Sequence, residues 1–241
     1  MISSISIIFP VFNESIRLRT TFADIKRFNK KNFLKKIEYI FVDDGCTDDS
    51  VKKIKKFIFE NKKKNINYKL IQFKKNKGKG EALKKGVLAC RSNWILTTDT
   101  DISVSLKQII NWIKKGFINK KNKIYFGSRN LKNSRTKYKI YRKLLGLVFN
   151  KFINYYFSIK LSDTQCGFKL YEGKVGKKLF KNLQDKGFAH DIEIILRAEK
   201  FNLSIIELPV KWEHRDNSKL NIFSDSLKML LNLVYIKRKV I

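Results

Sequence analysis

The first half of this 241-residue sequence predicts an α/β fold: a mostly parallel sheet with helices on both faces. Three observations carry that reading. Apolar runs rich in β-branched and aromatic residues alternate four times with amphipathic segments. The links between them are short. Each apolar run also stops at a polar cluster, which is where the loops of such a sheet gather ligands. The length suits one large α/β domain, or one domain with an extension.

Ile5–Phe9 (ISIIF) is a continuous apolar run, the form of a parallel strand covered on both faces. It stops at Pro10, and Pro10–Glu14 (PVFNE) leads into a helix expected from about Ser15. Ile37–Val42 (IEYIFV) is a second strand, closed by Asp43-Asp44-Gly45, and Asp48-Asp49-Ser50 opens an amphipathic helix to about Phe59. Tyr68–Phe73 (YKLIQF) is a third, followed by Asn76–Gly80 (NKGKG) and a helix through Cys90. Trp94–Thr98 (WILTT) is a fourth, and it runs straight into Asp99 and Asp101. Ser103 or Ser105 can then cap a helix to about Phe117. Ile124–Phe126 is a short fifth strand ending at Gly127-Ser128-Arg129.

The second half is less regular. Tyr138–Phe157 is amphipathic, aromatic and basic. Asp163–Tyr171 (DTQCGFKLY), Phe188–Lys200 (helical after Ala189), Ser204–Val210 and Lys211–Asn221 follow. A last helix is expected from about Ile222 to Ile236, ending in Lys237-Arg238-Lys239. Residues 1–221 therefore read as the main domain, and 222–241 as an amphipathic helix that lies on a membrane surface or packs on the domain. No run approaches the length of a membrane-spanning helix, and the first residues lack the pattern of a signal peptide. Cys46, Cys90 and Cys166 are too few and too scattered for a disulfide framework or a zinc site, so a reducing cytoplasm is the expectation.

The formal charge is +32, which invites a nucleic-acid reading. Lys outnumbers Arg 43 to 10, however, whereas phosphate-reading surfaces lean on Arg. The charge is read as partly compositional and partly suited to an anionic membrane, with no nucleic-acid partner.

Asp99 and Asp101 stand two apart at a strand end, where an extended chain points both carboxylates the same way. Such a pair can hold a hard cation, Mg²⁺ or Mn²⁺, together with phosphates; it can equally form a capped turn. Five polar clusters brought by topology to one sheet edge favour the first reading. No G-x-G-x-x-G follows the first strand, and there is no Walker sequence.

The ordered set PVFNE, VDDGCTDDS, NKGKG, TDTD, GSR, DTQCGFKLY and W-x₅-SK resembles the family 2 glycosyltransferases of GT-A fold, and within them the polyprenyl-phosphate sugar transferases. The resemblance spans about residues 4–221. It implies an inverting transfer of a sugar, glucose from UDP-glucose being the expectation, to a dolichyl or other polyprenyl phosphate. A polysaccharide or other glycan acceptor, or a UDP-GlcNAc or GDP-mannose donor, is the alternative. It places Glu14 and Asp43 in the nucleotide pocket, with Asp44 beside them and Pro10 and Asn13 shaping the wall. Gly78 and Gly80 would let the backbone approach the donor, and Lys79 would bring it a positive charge. Asp99 and Asp101 would hold the metal.

Arg129 and Lys219, with Arg142 and Arg215, are candidates for gripping the acceptor phosphate, since guanidinium forks match phosphate oxygens. Asp163 and Gln165 would stand where sugar and acceptor meet. Asp191 and Glu193 suit either sugar contact or structural capping at a helix start, and His190 reads as a packed residue. The basic amphipathic segment of about 139–157 would face lipid on the cytoplasmic side, although part of it reads equally as core. Many relatives carry an additional membrane anchor, which this sequence is not expected to have.

Overall fold

The computed structural model describes residues 2–31, 33–119, 121–137, 150–214, 232 and 236. The side chains of β1 (Ser4–Val11) and β2 (Lys36–Asp43) alternate between two apolar layers. Ile5, Ile7 and Phe9 join Tyr39 and Phe41 on one face, while Ile8, Ile40 and Val42 point to the other. A strand buried on both faces has to read as largely apolar, and these two do, the buried exceptions Ser6 and Glu38 bonding to each other at 2.5 Å. Truncating a side chain such as Phe41 to Ala would cost about 3–5 kcal/mol.

Among the described residues, seven strands form one sheet in the order β3-β2-β1-β4-β7-β5-β8, with β3 (Ile66–Gln72), β4 (Trp94–Thr97), β5 (Ile124–Ser128), β7 (Lys169–Glu172) and β8 (Ile205–Pro209). A small second sheet pairs β6 (Arg135–Lys137) with β9 (Lys211–Glu213). α1 (Leu18–Lys31), α2 (Ser50–Glu60) and α4 (Lys107–Lys114) contribute to one layer. α3 (Lys79–Ala89), α6 (Gly173–Lys181), α7 (His190–Lys200) and the helical residues 150–157, here α5, contribute to the other.

The mostly parallel sheet with helices on both faces is as expected, with one strand out of pattern. β7 runs antiparallel between β4 and β5. Its amino end therefore lies where its neighbours' carboxyl ends lie, which delivers the preceding loop, 163–167, to the same edge as Asp99.

Two helix boundaries differ from expectation. α1 starts at Leu18 rather than Ser15 because the intervening turn is tied elsewhere: Glu14 N donates to Ser50 Oγ (2.8 Å) and Ser15 N to Asp48 Oδ2 (3.0 Å). α4 starts at Lys107, and its cap is shared. Ser105 Oγ accepts from Lys107 N (3.3 Å), while Asp24 on α1 accepts from Leu106 N and Ser105 Oγ, each at 2.8 Å. It ends at Lys114, short of Phe117, on Gly116 (φ 68°), where Phe117 N returns to Trp112 O and Gly116 N to Ile113 O.

Arg142, Arg215, Lys219, the 139–149 part of the expected lipid-facing segment and most of the last helix lie outside the described residues. Of that helix, Asn232 donates to Asp185 Oδ1 (3.0 Å) and Ile236 is buried in the α3/α6/α7 layer. No helix among the described residues is long and apolar enough to cross a membrane.

Candidate active site

The five strand-end clusters do meet. Asn13, in the left-handed region (φ 52°), accepts from Thr47 N at 2.8 Å and so pins the loop after β1 to the loop after β2. Thr100 Oγ1 donates to Pro10 O (2.7 Å), which ties the loop after β4 to β1. Asp43 accepts from Cys46 N (2.7 Å) and Gln72 Nε2 (3.3 Å). Asp44 accepts from Lys77 N (2.7 Å) and Gly78 N (2.9 Å). Asp44 thus shapes the loop after β3 from inside. Burial raises its carboxyl above the ordinary value even though those two amides act downward. A Cβ on Gly78 (φ 99°) or Gly80 would collide with the carbonyls of Lys186 and Asp185 respectively, so these glycines serve a close approach to the chain's own 185–187 loop. The sequence reading had assigned that approach to the donor.

At the centre lie Asp99 and Asp101. Lys79, at the start of α3, places Nζ 2.6 Å from Asp99 Oδ1. Desolvation pushes the Asp99 carboxyl up, but the Lys79 ammonium outweighs it and holds the group below the ordinary carboxylate range. Lys79 is raised in turn: burial acts downward, and Asp99 and Asp191 more than offset it. Asp101 goes the other way, raised first by burial and then by the negative charge of Asp99. Its Oδ1 accepts from Ser103 N (2.9 Å), and its Oδ2 stands 3.7 Å from Arg17 Nη1. Arg17 is also bidentate to Glu14, at 2.5 Å through both Nε and Nη2. The Asp99 carboxylate lies flat against the backbone of Gly167, where any Cβ would collide with both carboxylate oxygens. Thr98, Ser103, Cys166, Phe168 and Trp212 line a small open cleft beside it.

Arg129, at the end of β5, faces the same region. Its Nε and Nη2 donate to Asp163 Oδ2 (2.6 Å) and Oδ1 (2.8 Å), its backbone N adds a third bond to Oδ2 (2.9 Å), and the guanidinium lies 5.9 Å from the Trp212 ring centre. Asp163 is 3% exposed; desolvation acts upward on it, and the Arg129 charge and hydrogen bonds bring it below the ordinary range. Its own N–H and that of Ser162 are held by Glu207, and Gln165 N donates back to Asp163 Oδ1 (3.1 Å). Asp163 is therefore a buried anchor for Arg129. Its carboxylate accepts from N–H donors of Arg129 and Gln165.

Behind Asp99, buried Lys169 pairs with Asp191, whose carboxylate also meets His190 Nε2 (3.2 Å). Burial pushes Asp191 up, but His190 and Lys169 outweigh it and leave the carboxyl far below the usual range. Glu193 is 0% exposed and accepts from Gln184 N, Asp185 N and Arg197. Neither acidic residue of α7 caps its own helix: Asp191 is in an ion pair and Glu193 holds the loop before the helix, while His190 is packed as expected. Burial raises the Cys46 and Cys166 thiols to about 12, so neither supplies a thiolate nucleophile near neutral pH.

The description Glycosyl transferase family 2 matches residues 6–180. The chain belongs to that family. It is 33% identical to a dolichyl-phosphate beta-glucosyltransferase of Dictyostelium discoideum, over 97% of this chain and 73% of that protein. It is 30% identical to one of Saccharomyces cerevisiae, over 97% and 74%. Among solved structures it resembles glucosyl-3-phosphoglycerate synthase from Mycobacterium tuberculosis in complex with Mn²⁺, UDP and glucosyl-3-phosphoglycerate, with TM-score 0.69 and 13% identity over 97% of this chain and 80% of that one. It also resembles the mannosyltransferase PcManGT from Pyrobaculum calidifontis in complex with GDP-Man and Mn²⁺, with TM-score 0.62 and 14% identity over 98% and 63%. At such identities these structures speak for the fold.

In this glycosyltransferase, then, Asp99, Asp101, Lys79, Arg129 and Asp163 gather at one edge, with Glu14, Asn13, Asp43 and Pro10 on its β1–β2 side. Sequence reasoning missed Arg17, Gly167 and Lys169. Only Arg17 left a local signal, its three-residue spacing from Glu14 across a helix start.

Proposed function

We propose that this chain moves glucose from UDP-glucose to the phosphate of dolichyl or another polyprenyl phosphate, with inversion at the anomeric carbon. The observation that carries the reading is the gathering of two charged groups at one sheet edge: the Asp99/Asp101 carboxylates with Lys79, where an excess of carboxylate suits a divalent cation carrying its diphosphate, and Arg129, fixed by Asp163. The first suits a sugar diphosphate and the second a lipid phosphate. The glucosyl and dolichyl assignments rest on the names of relatives that match nearly the whole chain.

The residues fit a divalent cation that arrives with its diphosphate. Two hard oxygen donors stand together, and the charge of Asp99 raises Asp101, a like-charge cost that a cation would relieve. No third His, Cys or carboxylate joins them in a metal-holding group among the described residues, so the remaining ligands would be phosphate oxygens and water. Bound there by Asp99 and Asp101, Mg²⁺ or Mn²⁺ would supply charge neutralisation at the departing diphosphate.

A phosphate oxygen of the acceptor forms the new bond to the anomeric carbon as the bond to the UDP oxygen breaks. That nucleophile is already anionic, so no base need take a proton from it. Lys79 holds positive charge at the donor side, Arg129 presents its guanidinium to the acceptor, and Trp212 keeps that guanidinium partly out of water. Asp43, Glu14 and the Asn13 loop are assigned to the uridine and ribose. On α5, Ile153 and Phe157 are buried while Phe152 and Tyr155 are 48% and 89% exposed, and Asn150 and Asn154 donate to the carbonyls of Ser162 and Leu161 beside Asp163. This helix, with 222–241, is assigned to peripheral contact with the cytoplasmic face of a membrane.

The test incubates purified protein with Mn²⁺ or Mg²⁺, dolichyl phosphate and a panel of UDP-glucose, UDP-galactose, UDP-GlcNAc and GDP-mannose, then weighs the lipid. Glucosyl dolichyl phosphate from UDP-glucose is expected. Transfer only to a water-soluble glycan would overturn the acceptor.

A further inference from the structure

Phe188 is a large apolar side chain left 37% exposed on a loop that is anything but loose. Gly80 N and Glu81 N both donate to Lys186 O, at 2.8 and 3.3 Å, and Glu193 holds Gln184 N and Asp185 N. His190 Nδ1 meets Gly187 O at 2.7 Å, and Gly78 and Gly80 lack the Cβ that would push the loop away. The 184–190 segment is thus pinned from α3 and α7, and Phe188 stands out from it. Its ring centre lies 6.0 Å from Lys79 Nζ, the same atom that sits 2.6 Å from Asp99 Oδ1. An aromatic face beside the ion pair that receives the diphosphate is a ready platform for a ring bearing C–H groups, since the electron-rich face attracts their partial positive charge.

We propose that Phe188 is the platform on which the hexose of the donor lies, and that it sets the preference for the gluco configuration. This rests on the reading of the site as a nucleotide-sugar site. In an α-linked donor such as UDP-glucose the axial diphosphate occupies one face of the ring, and the axial groups at C2 and C4 on the opposite face are both C–H. The axial hydroxyl of galactose at C4, or of mannose at C2, places a polar group on one face, and an apolar platform there discriminates against it.

Two variants test it, Phe188→Ala and Phe188→Trp, read in two ways. Calorimetry with Mn²⁺ gives the affinity for UDP and for UDP-glucose separately, and turnover gives kcat/KM for UDP-glucose against UDP-galactose. In Phe188→Ala, UDP affinity should stay within about twofold while the added affinity due to the hexose disappears, and glucose-over-galactose discrimination should fall about tenfold. Phe188→Trp should retain both. An unchanged hexose increment in Phe188→Ala, or a loss of UDP affinity as large as that for UDP-glucose, would overturn the proposal. If the wild type turned over no UDP-glucose yet showed a hexose increment that Phe188→Ala removed, the reaction assigned above would fall and the platform would stand.

Discussion

The two ion pairs of the cleft are built differently. Lys79 and Asp99 share one contact, and the carboxylate side chain is 36% exposed with a second carboxylate, Asp101, as its neighbour. Arg129 and Asp163 share a fork plus a backbone bond, and the carboxylate is 3% exposed. The first pair can exchange partners when an anion and a cation arrive together. The second fixes Arg129 by three hydrogen bonds to one buried carboxylate. In the proposed reading the adjustable pair serves the leaving diphosphate and the fixed pair the incoming phosphate.

The largest effect should come from the adjustable half. Asp99→Asn, or Asp101→Asn, should lower kcat on the order of 10³-fold, because charge stabilisation of the diphosphate is lost. Thermal stability should change little, and a steady-state assay beside a melting curve checks both. Gly167→Ala comes next. Its methyl would displace the Asp99 carboxylate, so turnover should fall on the order of 10²-fold, since small misplacements at a reacting centre have costs of that size. Wild-type turnover would show that the close approach is dispensable.

The fixed half should answer mainly in stability. Asp163→Ala leaves Arg129 without its fork and should destabilise by about 2–3 kcal/mol, below the full value for a buried pair because Arg129 is 24% exposed. The pH dependence has a definite sign. Despite the upward push of burial, Arg129 keeps the folded Asp163 carboxyl below the unfolded value of about 3.9. Its contribution is therefore complete above about pH 4 and is lost as pH falls through the depressed folded value. Denaturant melts at pH 7 and pH 3 should show wild type losing more stability than Asp163→Asn over that interval.

Most of the fold was legible because β1, β2 and β4 are buried on both faces and are therefore largely apolar, the buried Ser6 and Glu38 being paired with each other. The site was legible as a set of strand-end clusters for the same reason: topology alone sends them to one edge. β7 was not. Its four residues, KLYE, carry no sign of direction, and what makes it antiparallel is its slot between β4 and β5. The partners of Asp163 and Lys169 were not legible, because only packing shows that each is buried against a residue of opposite charge. Phe188 left no signal in the sequence, since what sets it in place is the hydrogen bonding of its loop to α3 and α7.

The difference between the two halves is tested most directly by calorimetric titration of UDP, with and without Mn²⁺, into wild type, Asp99→Asn and Asp163→Asn. UDP affinity should depend strongly on Mn²⁺ in wild type and Asp163→Asn, and that dependence should vanish in Asp99→Asn. Equal Mn²⁺ dependence in all three proteins would contradict the assignment of Asp99 to the metal and the diphosphate.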